Sequence, residues 1–563
     1  MKRIQFSSNK EIDSLLNNVV RKIDSFVQKQ RNKIERLTNI GLALSSETDI
    51  NDTFETILEG ALDFTSADGA TLYIVSADKQ ELEFKLVYNR SLLVRFGGKS
   101  KKPVPWPSVK LYHNGDERNL NTMVTYVFHT GKAYVVDDVY EQRDFDNSGT
   151  LKYDKENNYR SKSMIGVPLK NNDGDVLGVI QLLNATSSNG KVVSFSEEQV
   201  VLLKSLASQA AIALTNKSLI AELERLLHDF VKTIAYTLDQ KSRYSGKHIS
   251  RVATLTEMLS NKVHECECEA YKDVSFSESQ LEEISMSGWL HDIGKIVTPE
   301  YIMDKSTKLE KIIDLIEIIE LRFALVKTAV EKKILHLQLA GKAHKKIVEY
   351  EKLLAGFDDD LEFVRKLNIG AEFVEDSAIE RLKRIRDFRF NDGDRDYYLI
   401  SEEEHFLLSV RKGTLSPQDL VIMREHVVKT DEILSQLSFP KKFGNLQLYA
   451  SSHHEKINGK GYPKGLKGEE LPVQARIIAI ADIFEAITAA DRPYRKGNKL
   501  SAALKIMAFM VRDGELDNNL YTLLLDSGLY LEYANKYLKK EQIDEVDIEQ
   551  LKSIAAMIKF ASN

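Results

Sequence analysis

A chain of 563 residues, 43% hydrophobic and 29% charged, has the composition of ordinary globular domains and the length for two or three separate cores. Its net charge of −6 gives no general polyanion-binding signature and argues against DNA as a partner, and two cysteines exclude a disulfide framework. No apolar run approaches the ~20 residues that cross a bilayer, and the N-terminal MKRIQFSSNKEID lacks the apolar segment of a signal peptide, so the expectation is no membrane and a cytoplasmic location.

The first element reads as a helix with a heptad seam, Ile12, Leu16, Val19, Ile23 and Phe26, which weakens at Gln30 and Lys33 and resumes at Leu37 and Ile40. Residues 1–30 are expected to be a coiled-coil dimer element, or an amphipathic helix packed on its own domain. A mixed α/β pattern follows to Asn184. It has a helix around Asn51 to Ser66, a strand at Gly69 to Ser76, and Leu82, Phe84, Leu86 and Tyr88 alternating with polar residues. Met164 to Leu169 and Val176 to Leu183 flank Asn172-Asp173-Gly174, the chemistry of a hairpin turn. Ser194 or Ser196 is placed to cap a helix that meets no breaker until about Lys241. Within it Leu219, Leu223, Leu226 and Phe230 form a second heptad seam, and His228 reads as a solvated or seam residue.

Five later segments carry chemistry. They are YSGKHISRV (Tyr244 to Val252), HDIGK (His291 to Lys295), MREHV (Met423 to Val427), HHEKINGKGYPKGL (His453 to Leu466) and ADIFEAITAADRPYR (Ala481 to Arg495). Their His and Asp residues are N/O donors suited to more than one hard or borderline divalent ion, and no cysteine joins them. Adjacent His291 and Asp292 cannot share one face of a continuing helix, yet a carboxylate between two ions is a natural way to hold them ~3.5–4 Å apart. The glycines of Gly459-Lys460-Gly461-Tyr462-Pro463-Lys464-Gly465 demand a turned loop. Asp482 sits in an apolar helix, where a carboxylate needs a partner. Each residue alone has an ordinary reading: a core histidine, an ion-paired aspartate, a solvated lysine. Five motifs in this order supply separate parts of one geometry.

These segments resemble the HD-GYP domain, a subgroup of the all-α HD metal phosphohydrolases, over about Leu226 to Asp513, and the early α/β region resembles a GAF sensor domain over about Arg31 to Asn216. The resemblance implies an antiparallel-sheet GAF domain (31–216), a coiled-coil linker helix (217–241) and an HD-GYP helical bundle (242–513), ending in a helical tail (514–563). It implies hydrolysis of cyclic di-GMP to pGpG or GMP by two divalent ions, or three, of iron or manganese. Their ligands would be His248, His291, Asp292, His426, His453, His454 and Asp482. Asp292 would bridge the ions and Lys295 would neutralise the scissile phosphate. Gly461, Tyr462 and Pro463 would seat the substrate, and Arg492 and Arg495 would hold phosphates. Tyr244, four before His248, offers no carboxylate to a third ion; Asp239 is the nearest acidic residue, so two ions are expected. Asn458 replaces an aspartate common before Gly459.

In the GAF-like region Asn184 and Phe195 to Glu198 faintly match the pattern of cyclic-nucleotide GAF domains, but Ala185 stands where the lysine would be, and a structural hairpin and cap is the preferred reading. A GAF ligand is left open, and a homodimer through the seams is expected. The unusual feature is an insertion of roughly a hundred residues at about 308–413, too long to lack packing of its own and strongly helical from Ile312 to Leu354. Two other functions compete with cyclic di-GMP hydrolysis: turnover of another cyclic dinucleotide such as cyclic GMP-AMP, and a catalytically silent nucleotide-binding or scaffold protein.

Overall fold

The computed structural model describes residues 9–46, 49–113, 115–187, 189–241, 246–341, 344–490 and 497–557. It divides into two compact units, Met1–Arg225 and Leu226–Asn563, the division falling inside the helix Glu197–Lys241.

The first unit is built on an antiparallel sheet whose main path runs Val94–Gly97, Glu81–Asn89, Ala67–Val75, Val176–Thr186, Met164–Lys170, Tyr134–Val136. The Met164–Lys170/Val176–Thr186 hairpin closes where the sequence placed it. Gly174 adopts φ +93°, and the Asn171 side chain accepts from the Asp175 amide at 2.8 Å, so the turn satisfies its own backbone. The strand alternation seen in the sequence becomes burial: Leu72, Leu82, Leu86, Ile165, Ile180 and Leu182 are fully enclosed. One layer of helices, Ile50–Thr65 and the first half of Glu197–Lys241, covers a face of the sheet through Ile57, Leu58, Leu203 and Leu206. Ser196 caps the latter helix, its hydroxyl accepting from the Gln199 amide. The N-terminal helix runs unbroken over Lys10–Ser46, through the weakening of the seam at Gln30 and Lys33 and past its resumption at Leu37 and Ile40. Its later half joins this unit, with Leu44 in the core and Lys33 paired to Glu198.

The second unit is a bundle of helices around His248–Glu265, Glu278–Leu290, Pro417–Ser435 and Val473–Thr488. Val252, Leu255, Leu259, Ile477, Ile480 and Phe484 share its main core with the tail helices Leu500–Arg512, Asn518–Asp526 and Leu529–Tyr537. The insertion has a core of its own. Helices Ile316–Leu339 and His344–Ile369 pack together through Phe323, Val326, Val330, Phe357 and Val364. It also holds a short hairpin, Phe390–Asn391 with Asp396–Tyr397, so this unit is not purely helical. Cys266 and Cys268 are joined as a disulfide across one residue, a local clip rather than a framework. His228, read as a solvated or seam residue, is partly exposed and is also paired, its Nε2 lying 2.6 Å from the Glu282 carboxylate. Among the described residues no helix is long and apolar enough to cross a membrane.

Candidate metal centre

The helix Glu278–Leu290 stops at His291, and a tight 3-10 turn, Ile293–Val297, follows Asp292. This break lets adjacent His291 and Asp292 both face the interior, where they are 0% and 2% exposed. Gly294 makes the break possible: a Cβ there would lie 1.9 Å from the carbonyl oxygen of His426. The turn therefore presses directly on the helix Pro417–Ser435. Thr430 locks the contact, accepting from the Gly294 amide at 3.0 Å and donating to the His291 carbonyl at 3.1 Å.

All seven predicted His and Asp ligands converge. His426, His453 and His454 form one group and His248, His291 and Asp482 another, each with donor atoms within 4.8 Å of one another. Asp292 stands between them. Its Oδ1 lies 3.4 Å from His426 Nε2, and its Oδ2 lies 3.3 Å from both His248 Nε2 and His291 Nε2 and 2.6 Å from Lys295 Nζ. Asp482 Oδ1 lies 3.4 Å from His248 Nε2.

The rings are aimed by their outer nitrogens. His291 Nδ1 donates to the Gly288 carbonyl at 2.8 Å and His453 Nδ1 to Ala450 at 2.7 Å, while His426 Nδ1 donates to Met423. A carbonyl can only accept, so each of these rings carries a proton on Nδ1, which leaves Nε2 as the nitrogen turned towards the cluster. Those three Nε2 atoms are buried without any hydrogen-bond partner. Buried polar atoms are otherwise almost always satisfied, so three orphans within these two groups are what a metal-binding site requires of its residues. The donor set fits divalent ions of the iron, manganese or zinc type.

Electrostatics agrees. Burial and the neighbouring imidazoles hold His453 far below the usual histidine range, burial brings His454 down to about 4, and it also lowers His426. All three are thus in the neutral, metal-binding form. Burial would raise Asp292, but Lys295 and His291 outweigh it and hold the carboxyl well below its ordinary value. His248 differs: burial disfavours its charge, yet Glu485 and Asp292 push it up to about 10.

Glu485 had no role in the sequence reading. It accepts from His248 Nδ1 and, at 2.6 Å, from Arg251 Nε, so it orients the one cluster histidine whose Nδ1 meets a carboxylate. Its signal was there: a second carboxylate three residues after Asp482 in the apolar run IIAIADIFEAIT. Glu455 was likewise quoted without a function. It accepts from the amides of Lys464, Gly465 and Leu466 at 2.7–3.1 Å and thereby ties down the glycine-rich loop. Asn458 serves the same loop, accepting from the Lys460 amide at 2.9 Å and donating to the Asp513 carbonyl at 3.0 Å.

In that loop a Cβ on Gly461 would lie 2.4 Å from Glu455 Cα and from the Lys456 nitrogen, so only glycine fits. The Tyr462 ring stacks on His454 with centroids 5.0 Å apart, and the Arg424 guanidinium lies 5.3 Å from its centroid. Pro463 follows through a cis peptide. Arg492, Arg495 and Tyr244 lie outside the described residues. Asp239 lines the same cavity as His248 and Asp292, and burial raises its carboxyl to about 6. That cavity, about 800 Å³, opens from the cluster past Lys295, Arg251 and Lys305.

Residues 49–214 match the GAF domain family and residues 403–520 the HD domain family. The chain contains a GAF domain followed by an HD domain. The HD match includes His426, His453, His454 and Asp482; His248, His291 and Asp292 lie before it, across the insertion, and reach the same centre through the fold. A 3'3'-cGAMP-specific phosphodiesterase of Vibrio cholerae serotype O1 is 40% identical over 97 residues, 17% of this chain and 20% of that protein. The cyclic di-GMP phosphodiesterase response regulator RpfG of Xanthomonas campestris pv. campestris is 38% identical over 96 residues, 17% of this chain and 25% of that protein. The match thus spans a quarter or less of the length of these two relatives. For the GAF domain, a crystal structure of the GAF domain from an Acinetobacter phosphoenolpyruvate-protein phosphotransferase covers 34% of this chain and 97% of that chain. Its identity is 15% and its TM-score 0.25.

Proposed function

We propose that this protein is a metal-dependent phosphodiesterase that hydrolyses cyclic di-GMP to pGpG or GMP under control of its GAF domain, in the cytoplasm. One observation carries the reading: Asp292 stands between two groups of three N/O donors, with its two oxygens turned to different groups. That arrangement suits two divalent ions, iron or manganese, held by His248, His291, Asp292, His426, His453, His454 and Asp482. Bound there, the ions would supply Lewis-acid polarisation of a phosphoryl oxygen and lower the pKa of water towards neutrality. Asp239, which lines the same cavity, is the candidate carboxylate for a third.

The chain's own residues do the rest. Lys295 is held by Asp292 at the mouth of the cluster, with its side chain a quarter exposed, so it can donate to a non-bridging phosphate oxygen as charge builds there. Tyr462, fixed between His454 and Arg424, offers an aromatic wall to a nucleobase on the loop formed by Gly461 and Pro463. Arg492 and Arg495 follow the helix bearing Asp482 in sequence and would bind phosphate. Residues 31–216 act as the sensor, 217–241 as the linker, 242–513 as the effector interrupted by 308–413, and 514–563 as its tail. The seams support a homodimer, for Ile23, Phe26, Leu223 and Leu226 are each more than half exposed on their helices.

Cyclic GMP-AMP is the second reading, favoured by a relative that acts on it at 40% identity beside one that acts on cyclic di-GMP at 38%. The test is anaerobic purification, metal analysis, and incubation with each dinucleotide followed by product separation. Two ions per chain with pGpG or GMP formed supports the proposal. Preferential turnover of cyclic GMP-AMP supports the second reading, and a metal-free, inert protein would overturn both.

A further inference from the structure

The cavity in front of the cluster has a second wall that belongs to the insertion. Beyond His248, Asp292, Lys295, His454 and Asp482, it is lined by Ile369, Gly370 and Ala371, where the His344–Ile369 helix ends, and by Lys412 and Gly413, where the chain returns. Three stretches of chain meet at this neck and are stitched together. The Lys308 amide donates to the Asn368 carbonyl at 2.8 Å, and the Leu309 amide to Asn368 Oδ1 at 2.9 Å. The fully buried Lys308 ammonium donates to the carbonyls of Leu408 and Val410 at 3.1 and 2.8 Å. Thr414 donates to the Lys305 carbonyl at 3.1 Å, and the Val374 amide to the Arg411 carbonyl at 3.0 Å. A Cβ on Gly370, at φ +68°, would come within 2.8 Å of the Gly413 carbonyl oxygen, so the two segments touch backbone to backbone. The wall is fixed, not a loose flap.

The charges on the two walls are unequal in kind. Arg251, Lys295 and Lys305 are each committed to a carboxylate, Glu485, Asp292 and Asp419 respectively. Lys412 is exposed, and among the described residues its ammonium has no ion-pair or hydrogen-bond partner. Beside it, Ile369 is 56% exposed, an apolar side chain left uncovered at the cavity edge. A cyclic dinucleotide carries two phosphates. With one at the cluster, the other needs a cation elsewhere, and about 800 Å³ lies within the ~300–1,000 Å³ usual for ligand sites.

We infer that the inserted subdomain completes the substrate site: Lys412 pairs with the phosphate that is not being cleaved, and Ile369 and Ala371 pack against the adjoining nucleoside. This rests on the cyclic-dinucleotide reading above and makes the insertion a selector for substrates with a second phosphate.

The experiment uses the full, metal-loaded chain with two substrates, cyclic di-GMP and bis(p-nitrophenyl) phosphate, which has a single phosphate. The readout is the ratio of their kcat/KM values in wild type, Lys412→Gln, Lys412→Arg and Ala371→Trp, each checked by thermal melting. Lys412→Gln is expected to lower the ratio about tenfold, chiefly through KM for cyclic di-GMP, with Lys412→Arg restoring most of it. Ala371→Trp should lower it at least as far by narrowing the cavity. Ratios within about twofold of wild type for both Lys412→Gln and Ala371→Trp would overturn the inference while leaving the phosphodiesterase reading intact. A wild type that cleaves bis(p-nitrophenyl) phosphate but no cyclic dinucleotide would overturn both.

Discussion

Each unit buries a knot of polar side chains, and the two knots are built to opposite ends. In the first unit Asn184, at φ +56°, accepts from the Lys162 amide at 2.7 Å and donates to the Tyr159 hydroxyl and the Arg160 carbonyl, both at 2.8 Å. Asp154 nearby accepts from the Ser161 amide, the Ser161 hydroxyl and the Tyr140 hydroxyl at 2.8–2.9 Å. These bonds close on themselves and hold a strand end. In the second unit the Nδ1 atoms of three histidines are satisfied while their Nε2 atoms are not. A satisfied network specifies a fold; an unsatisfied one stores binding capacity at a cost in stability. The faint cyclic-nucleotide pattern around Asn184 thus resolves as architecture, with Phe195 in the core and the amide's bonding groups taken up internally.

The contrast can be broken hardest at Asp292. Asp292→Ala removes the carboxylate between the two donor groups and should lower cyclic dinucleotide turnover by about three orders of magnitude or more, with a parallel fall in bound metal by elemental analysis. Gly461→Ala sharpens it. The added methyl must displace the loop from Glu455, shifting Tyr462, so kcat/KM should drop about 10- to 100-fold while metal content stays at the wild-type level. On the closed side, Asn184→Ala leaves the Lys162 amide and Arg160 carbonyl without their partner. It should cost about 2–3 kcal/mol in denaturant unfolding with no loss of metal.

The smallest effect concerns Lys308, whose ammonium burial brings down to about 8. Below that pH the buried charge weighs on the folded state in full. From about 8 up to the ordinary lysine value of ~10.4 the unfolded chain binds more protons than the folded one, so stability should rise with pH in that window. Thermal melts of wild type against Lys308→Met should show that slope in the wild type alone.

Much of this was legible in the residues. The 3.6-residue period marked the insertion's two long helices because their apolar faces bury Phe323, Val330 and Phe357 in a core of their own. The turn at Asn172-Asp173-Gly174 was legible because only a few residue types accept its geometry. The reading failed where packing decides. The boundary set at residue 30 falls inside one unbroken helix, Lys10–Ser46, whose later face lies on the sheet unit. His228 stays partly exposed as read, and the sequence did not show its pairing with Glu282 from another helix.

By itself the sequence marked the five motifs, with the His and Asp residues that the resemblance offers as metal ligands, and the glycine-rich loop, since a motif and a turn depend on residue type and short-range spacing. Only the tertiary structure decided the rest. It set which oxygen of Asp292 faces which histidine, made Glu485 the residue that orients His248, and turned the insertion's neck into a cavity wall. Those facts join residues up to 237 apart in the chain, and no local pattern encodes such a distance.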